Sequence, residues 1–268
     1  MSPVIQYTKG HGTKNDFVVI QDLEDKIDLT PSQIIQICNR ETGIGADGIL
    51  RITKKGNHFF MDYRNADGSL AEMCGNGARV FAQYLFTKKL VTEKKFTFDT
   101  RAGFVQAEIN APGDISVTMD EAILRGKIVE VSVNGHKFSA QAVDAPNPHA
   151  VAFVPDLGGL GDLKTPPVVS PGGEFPNGVN VEFVKKITDD HVQMRVHERG
   201  SGETLSCGTG ACAAVVTGIQ WGLLDPSVLV HTQGGDLTIV WQGGDTPVWM
   251  TGPAATVFQG EINLPDTL

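Results

Sequence analysis

The stretch Asn65–Leu85, NADGSLAEMCGNGARVFAQYL, constrains this chain more than any other, because Glu198–Ile219, ERGSGETLSCGTGACAAVVTGI, repeats its plan. Both run from a glycine-containing polar lead-in through a cysteine into Gly-x-Gly-Ala, and then into an apolar helix. Cys74 and Cys207, Gly75 and Gly208, Gly77 and Gly210, Ala78 and Ala211 all stand 133 residues apart in a chain of 268. A fixed offset near half the length predicts an internal duplication. Weaker matches at the same offset, or at one residue less, relate Asn15 in KNDFVV to Asn147 in PNPHAV, and Gly43–Gly48 to Phe175–Asn180.

The duplication predicts an α+β fold in two pseudo-symmetric domains, each a mostly antiparallel sheet curled around a central helix. The expected boundaries are 1–118 and 119–256, with 257–268 returning to the first half and an active site in the cleft between them. Each half is long enough to bury a core. Thr30-Pro31-Ser32-Gln33 carries the capping-box pattern of a helix start, and Ile34, Ile35, Ile37 and Cys38 supply its apolar side. After Cys74, the spacing of Ala78, Phe81, Ala82 and Leu85 predicts one buried helix face. Asn134-Gly135 predicts a tight hairpin between Ile128–Val133 and Lys137–Val143. Pro155–Pro176 reads as surface loop with at most one short helix. The helix expected at Gly210–Gly222 is apolar nearly all round, which implies burial. Strands are expected at Asp236–Trp241, Pro247–Thr251 and Glu261–Leu264.

A net charge of −9 and the lack of a basic tract exclude a nucleic-acid partner. The start MSPVIQYTKG has no signal-peptide pattern, and no apolar run reaches the length of a membrane span, so the expectation is a cytoplasmic protein. Four cysteines in a chain this long do not make a disulfide scaffold. Cys38 and Cys212 read as core. The C-x4-C spacing of Cys207 and Cys212 has no second pair at zinc spacing, so no metal is expected. Gly43–Gly48 is not a dinucleotide fingerprint, because a helix precedes the loop where one should follow.

A cysteine just before Gly-x-Gly at a helix start sits where unpaired N–H groups and the positive dipole end favour anions. The thiol pKa should therefore fall from its usual value of about 8.5, and the glycines let backbone N–H groups close on a carboxylate. Two such starts on opposite faces of one amino acid provide what proton exchange at its α-carbon needs. One thiolate removes the proton, the opposing thiol delivers another, and donors on the carboxylate stabilise the charge between. No cofactor is required.

FMDYRNADGSLAEMCGNGARVF, ERGSGETLSCGTGACAA, GIGADG, KGHGTKNDFVV, the Asn147–His149 segment NPH and the VNVEF after Gly178 together resemble the diaminopimelate epimerase family, essentially end to end. That resemblance implies a cofactor-independent isomerase that inverts one centre of LL-2,6-diaminopimelate to the meso form, for lysine and peptidoglycan precursors. It implies acid/base roles for Cys74 and Cys207, with His149 and Glu198 as auxiliary groups. Gly75, Asn76, Gly208 and Thr209 match the positions that hold the reacting carboxylate. Asn15, Asn65, Asn147, Asn180, Glu198 and Arg199 match substrate-binding positions, and the family resemblance also implies a homodimer. Two residues depart from the family pattern: Gly48 stands where many members have Gln, and Pro146 where Gly is common. Three other readings stay open at this point. They are a proline or hydroxyproline racemase, a thiol-disulfide switch formed by Cys74 and Cys207, and a non-catalytic amino-acid-binding protein.

Overall fold

The computed structural model describes residues 4–263, so Leu264 and the rest of the expected C-terminal return lie outside the described residues. The chain forms two compact units, residues 4–117 with 252–263, and residues 118–251. Among the described residues no helix is long and apolar enough to cross a membrane.

The first unit contains β1 (Val4–Gly12), β2 (Asn15–Gln21), α1 (Pro31–Cys38), β3 (Gly48–Lys55), β4 (His58–Asn65), α2 (Gly75–Thr87), β5 (Lys95–Thr100), β6 (Gly103–Ala111) and β7 (Asp114–Met119), and from the chain end β18 (Ala255–Asn263). Its strands pair in the order β18-β1-β2-β3-β4-β5-β6-β7. The β2–β3 and β4–β5 pairs are parallel and the rest antiparallel. Ala78, Phe81, Ala82 and Leu85 of α2 are fully buried, as their spacing requires, and α2 packs on β1, β2 and β6. Each large apolar side chain so enclosed contributes about 1.5–3 kcal/mol. At α1 both halves of the capping box form between Thr30 and Gln33. Ile34, Ile37 and Cys38 are buried, but Ile35 is 49% exposed. One residue on from Ile34 is about 100° around the helix, and an eight-residue helix lying on one surface leaves that direction open.

The second unit contains β8 (Ile123–Val133), β9 (His136–Ala145), β10 (Asn147–Phe153), β11 (Val168–Ser170), β12 (Asn180–Thr188), β13 (His191–Glu198), β14 (Gly202–Thr204), α3 (Gly208–Gln220), β15 (Ser227–Thr232), β16 (Gly235–Val240) and β17 (Val248–Pro253). The order is β11-β8-β9-β10-β12-β13-β15-β16-β17, with β10–β12 and β13–β15 parallel and β14 added on β13. Asn134 and Gly135 both take positive φ, 46° and 77°, the two-residue turn their identities favour. The expected loop at Pro155–Pro176 is more ordered than plain loop. It carries short helical turns at Gly158–Leu160 and Gly172–Glu174, and β11 pairs with the outer edge of β8. Helix α3 is buried at almost every position from Gly208 to Gly218.

The two units repeat one strand order and one set of strand directions, with β18 standing in the first where β8 stands in the second. Even the register repeats. Phe17 pairs with Gly48 as His149 pairs with Asn180. The slip between offsets of 132 and 133 also has a structural source. The β1–β2 turn has two residues, Thr13 and Lys14, whereas Pro146 alone separates the paired Ala145 and Asn147. The missing residue is regained at a bulge between Lys186 and Thr188.

Candidate active site

At the start of α2, Cys74 is the N-cap in extended conformation, with φ −142° and ψ 118°. Its thiol donates to Asn15 Oδ1 at 3.5 Å, and Asn76 Nδ2 donates to the same oxygen at 3.3 Å. Asn15 cannot turn freely, because its Nδ2 donates to Asp47 Oδ2 at 2.7 Å, and Asp47 in turn accepts from Arg40 at 2.6 Å. Beside it, burial of Asp16 is outweighed by hydrogen bonds from Arg40 and Lys9, which hold its carboxyl well below the usual range. Behind Asn76 lies the fully buried Arg79. Its Nη2 donates to Asn76 Oδ1 at 2.8 Å and to Thr13 Oγ1 at 3.2 Å, and its Nη1 to Gly75 O at 3.4 Å. Asn65 stands apart from this network, with its Nδ2 donating to Ser69 Oγ at 3.0 Å. Gly48 has no room for the family's longer residue as the chain stands, since a Cβ there would lie 2.5 Å from Arg64 O and 2.7 Å from the Tyr63 ring.

At the start of α3, Cys207 is again an extended N-cap, and its Sγ accepts from Gly210 N at 3.4 Å and lies 3.4 Å from Thr209 Oγ1. The expected fall in thiol pKa does not hold here. Burial, followed by the carboxylates of Glu198 and Glu182, pushes the Cys207 thiol up, and the bonds from Thr209 and Gly210 only moderate this. A helix start favours an anion, but removal of the sulfur from water beside two other anions costs more. Burial also raises Glu198, against hydrogen bonds from Thr204 and Cys207. His149 Nδ1 lies 2.7 Å from Glu182 Oε1, both side chains being 0% exposed. Asn180 Oδ1 accepts from Arg199 N at 2.8 Å. The Arg199 side chain donates to Asn177 O at 3.2 Å and lines a cavity of about 280 Å³ with Phe175, Gly178, Val181 and His197. Asn147 is exposed, one residue past Pro146 in the narrow β9–β10 turn.

The structure thus gathers Cys74, Asn15, Gly75 and Asn76 at one helix start. It gathers Cys207, Gly208, Thr209, Glu198 and His149 around the other, with Asn180 bonded to Arg199. Comparison with known proteins is decisive for kinship. The family model described as diaminopimelate epimerase matches residues 7–124 and again 141–257, once in each half. The chain belongs to the diaminopimelate epimerase family. It is 47% identical to the diaminopimelate epimerase of Streptomyces coelicolor, over 98% of this chain and 97% of that one. It is 42% identical to that of Cupriavidus metallidurans, over 97% and 98%. Among solved structures, a hydroxyproline epimerase from Agrobacterium vitis shares the fold with a TM-score of 0.74 at 16% identity, covering 99% of this chain and 95% of that one. A PhzF-family phenazine biosynthesis protein of Bacillus anthracis does so at 0.72 and 16%, covering 97% and 99%.

Within this member of the diaminopimelate epimerase family, four side chains next to the expected site escaped the reading of the sequence: Asp47, Arg79, Glu182 and Thr204. Two of them left a signal. Glu182 interrupts the apolar run Val181–Val184 and, two residues past Asn180 on a strand, shares its face. Arg79 interrupts the buried face of α2, directly after Ala78.

Proposed function

We propose that this chain interconverts LL-2,6-diaminopimelate and meso-diaminopimelate by proton exchange between two thiols at the α-carbon. The carrying observation is that Cys74 and Cys207 cap the buried central helix at the same point of two repeated units. In this reading each unit offers one thiol to one bound substrate. The backbone N–H groups of Gly75 and Asn76, and of Gly208 and Thr209, take the reacting carboxylate as charge moves onto it. A preorganised donor of this kind is worth about 10²–10³ in rate, and a positioned acid or base about 10²–10⁴.

Glu198 and His149 receive and return the thiol proton, which offsets the suppressed ionisation of Cys207. Asn15, Asn65, Asn147, Asn180, Glu198 and Arg199 hold the distal ammonium and carboxylate, for which acidic, basic and amide groups are the natural partners. No cofactor enters the reaction. The product feeds lysine and peptidoglycan precursor synthesis, and the working form is a cytoplasmic homodimer.

The test is to incubate reduced protein with LL-diaminopimelate in heavy water beside Cys74→Ala and Cys207→Ala. Meso product carrying solvent deuterium, lost in both variants, is the expected result. No product and no exchange, with turnover of proline or hydroxyproline instead, would replace this reading with the racemase.

A further inference from the structure

Glu182 is a fully buried carboxylate to which the proposed function assigns nothing. It sits on β12, the parallel neighbour of β10, and Val151 rather than His149 is its register partner. Its side chain therefore reaches diagonally to place Oε1 2.7 Å from His149 Nδ1. A second feature accommodates it. A Cβ on Gly210 would lie 2.5 Å from Glu182 Oε1, so the second glycine of Cys-Gly-Thr-Gly leaves the volume that this carboxylate occupies. The pair is also incomplete at its outer end. His149 Nε2 is buried and has no hydrogen-bond partner in the described structure. An ionised carboxylate only accepts, so its bond to Nδ1 requires the hydrogen there and leaves Nε2 as the nitrogen open to exchange.

We propose that Glu182 is a positioning residue for proton transfer: it holds the Nδ1–H of His149, so that Nε2 takes a proton from a thiol of the site and returns it. The proposal rests on the two-thiol reading. In the transfer the S–H bond breaks, its electron pair stays on sulfur, and an Nε2–H bond forms. Glu182 stays ionised and balances the imidazolium. An uncharged thiol and a neutral imidazole become a thiolate and an imidazolium, and in a buried site that separation of charge is favoured by an anion already in place beside the imidazole. Carboxylates that orient metal-bound histidines typically change activity by about 10–100-fold, and a loss of the same order is expected here.

The test combines kinetics with histidine NMR. Glu182→Gln keeps the shape and removes the charge. Its kcat should fall at least tenfold with KM within twofold, and combining it with His149→Asn should cost no more than about threefold beyond His149→Asn alone. In intact protein labelled with ¹⁵N-histidine, His149 should carry its hydrogen on Nδ1, and Glu182→Gln should weaken or reverse that preference. A Glu182→Gln kcat within twofold of wild type, or a loss confined to KM, overturns the proposal. Should the variant not fold, the wild-type spectrum alone decides, and a neutral His149 with its hydrogen on Nε2 overturns it. Wild-type protein inactive on diaminopimelate would overturn the underlying function, an outcome distinct from active wild type with an unimpaired variant.

Discussion

The starts of α2 and α3 are the same backbone device in different polar settings. At the first, Cys74 donates to the amide oxygen of Asn15, which is itself held by Asp47, and the buried guanidinium of Arg79 bonds to the neighbouring Asn76. At the second, Cys207 accepts from a backbone N–H, and the nearby charges are the carboxylates of Glu198 and Glu182. The equivalent glycines differ in the same sense. A Cβ at Gly77 would meet Leu50 and Phe17 at 3.2 and 3.4 Å, whereas one at Gly210 would meet Glu182 at 2.5 Å. Duplication therefore fixed where the thiols stand, and the strands behind each helix set what surrounds them. A helix dipole contributes about 0.3–1 kcal/mol, too little to decide ionisation against a desolvated carboxylate.

The largest test of this asymmetry removes the thiols one at a time. Cys74→Ala and Cys207→Ala should each lower epimerisation by about 10²–10⁴-fold, measured as meso product formed from the LL isomer. Retention of full rate in either variant would break the two-thiol reading. Next, Gly210→Ala should reduce kcat at least about tenfold by displacing Glu182, as loss of an orienting partner does. Gly77→Ala meets apolar groups that can shift by tenths of an ångström, and should leave kcat within about threefold while changing stability by about 1–3 kcal/mol. Equal kinetic losses would mean that the polar surroundings of the two glycines do not matter.

A smaller effect concerns Cys207 itself. Glu198→Gln removes the carboxylate proposed to take the thiol proton, so alkylation of Cys207 at pH 8, followed by peptide mass mapping, should slow a few-fold. Burial, the leading cause of the raised value, remains, and faster labelling would mean that Glu198 acts on this thiol as a repelling charge and not as its proton acceptor. Smallest is an alkaline stability effect away from both helix starts. Burial pushes the Cys38 thiol up to about 11. A folded value above the unfolded one gives stability that is complete below the unfolded pKa and is lost as pH rises through the folded one. Between about pH 8.5 and 10.5 the urea midpoint of Cys38→Ala should therefore fall less than that of the wild type, although the variant starts lower.

What the chain disclosed about itself was whatever depends on nearby residues. The repeated Cys-Gly-x-Gly, the Thr30–Gln33 capping box, the Asn134-Gly135 hairpin and the buried face of α2 are all set within a few positions. Ile35 was misplaced because helical spacing says which residues share a face but not how wide a surface receives them. Cys207 was misjudged because its ionisation depends first on burial and then on Glu198 and Glu182, all of which arise when strands β12 and β13 pack beside the helix start. Val168–Ser170 looked like loop because three residues become a strand only when the edge of β8 is there to pair with. Asn15 was found by its motif, whereas Asp47, which holds it, emerges only when the loop before β3 folds beside β2.

Strand β18 closes the edge of the first unit by pairing with β1, from Val4 opposite Asn263 to His11 opposite Ala255. The second unit, by contrast, is one continuous stretch, residues 118–251. During synthesis, then, the half made second is the half that can finish first. The amino-terminal half leaves the ribosome early with β1 unpaired along one side, and waits for nearly the whole remaining chain before its last strand arrives. An unpaired strand edge invites pairing with other chains, so a chain that stops after β17 and before β18 should keep a sound second unit beside a first unit prone to aggregate.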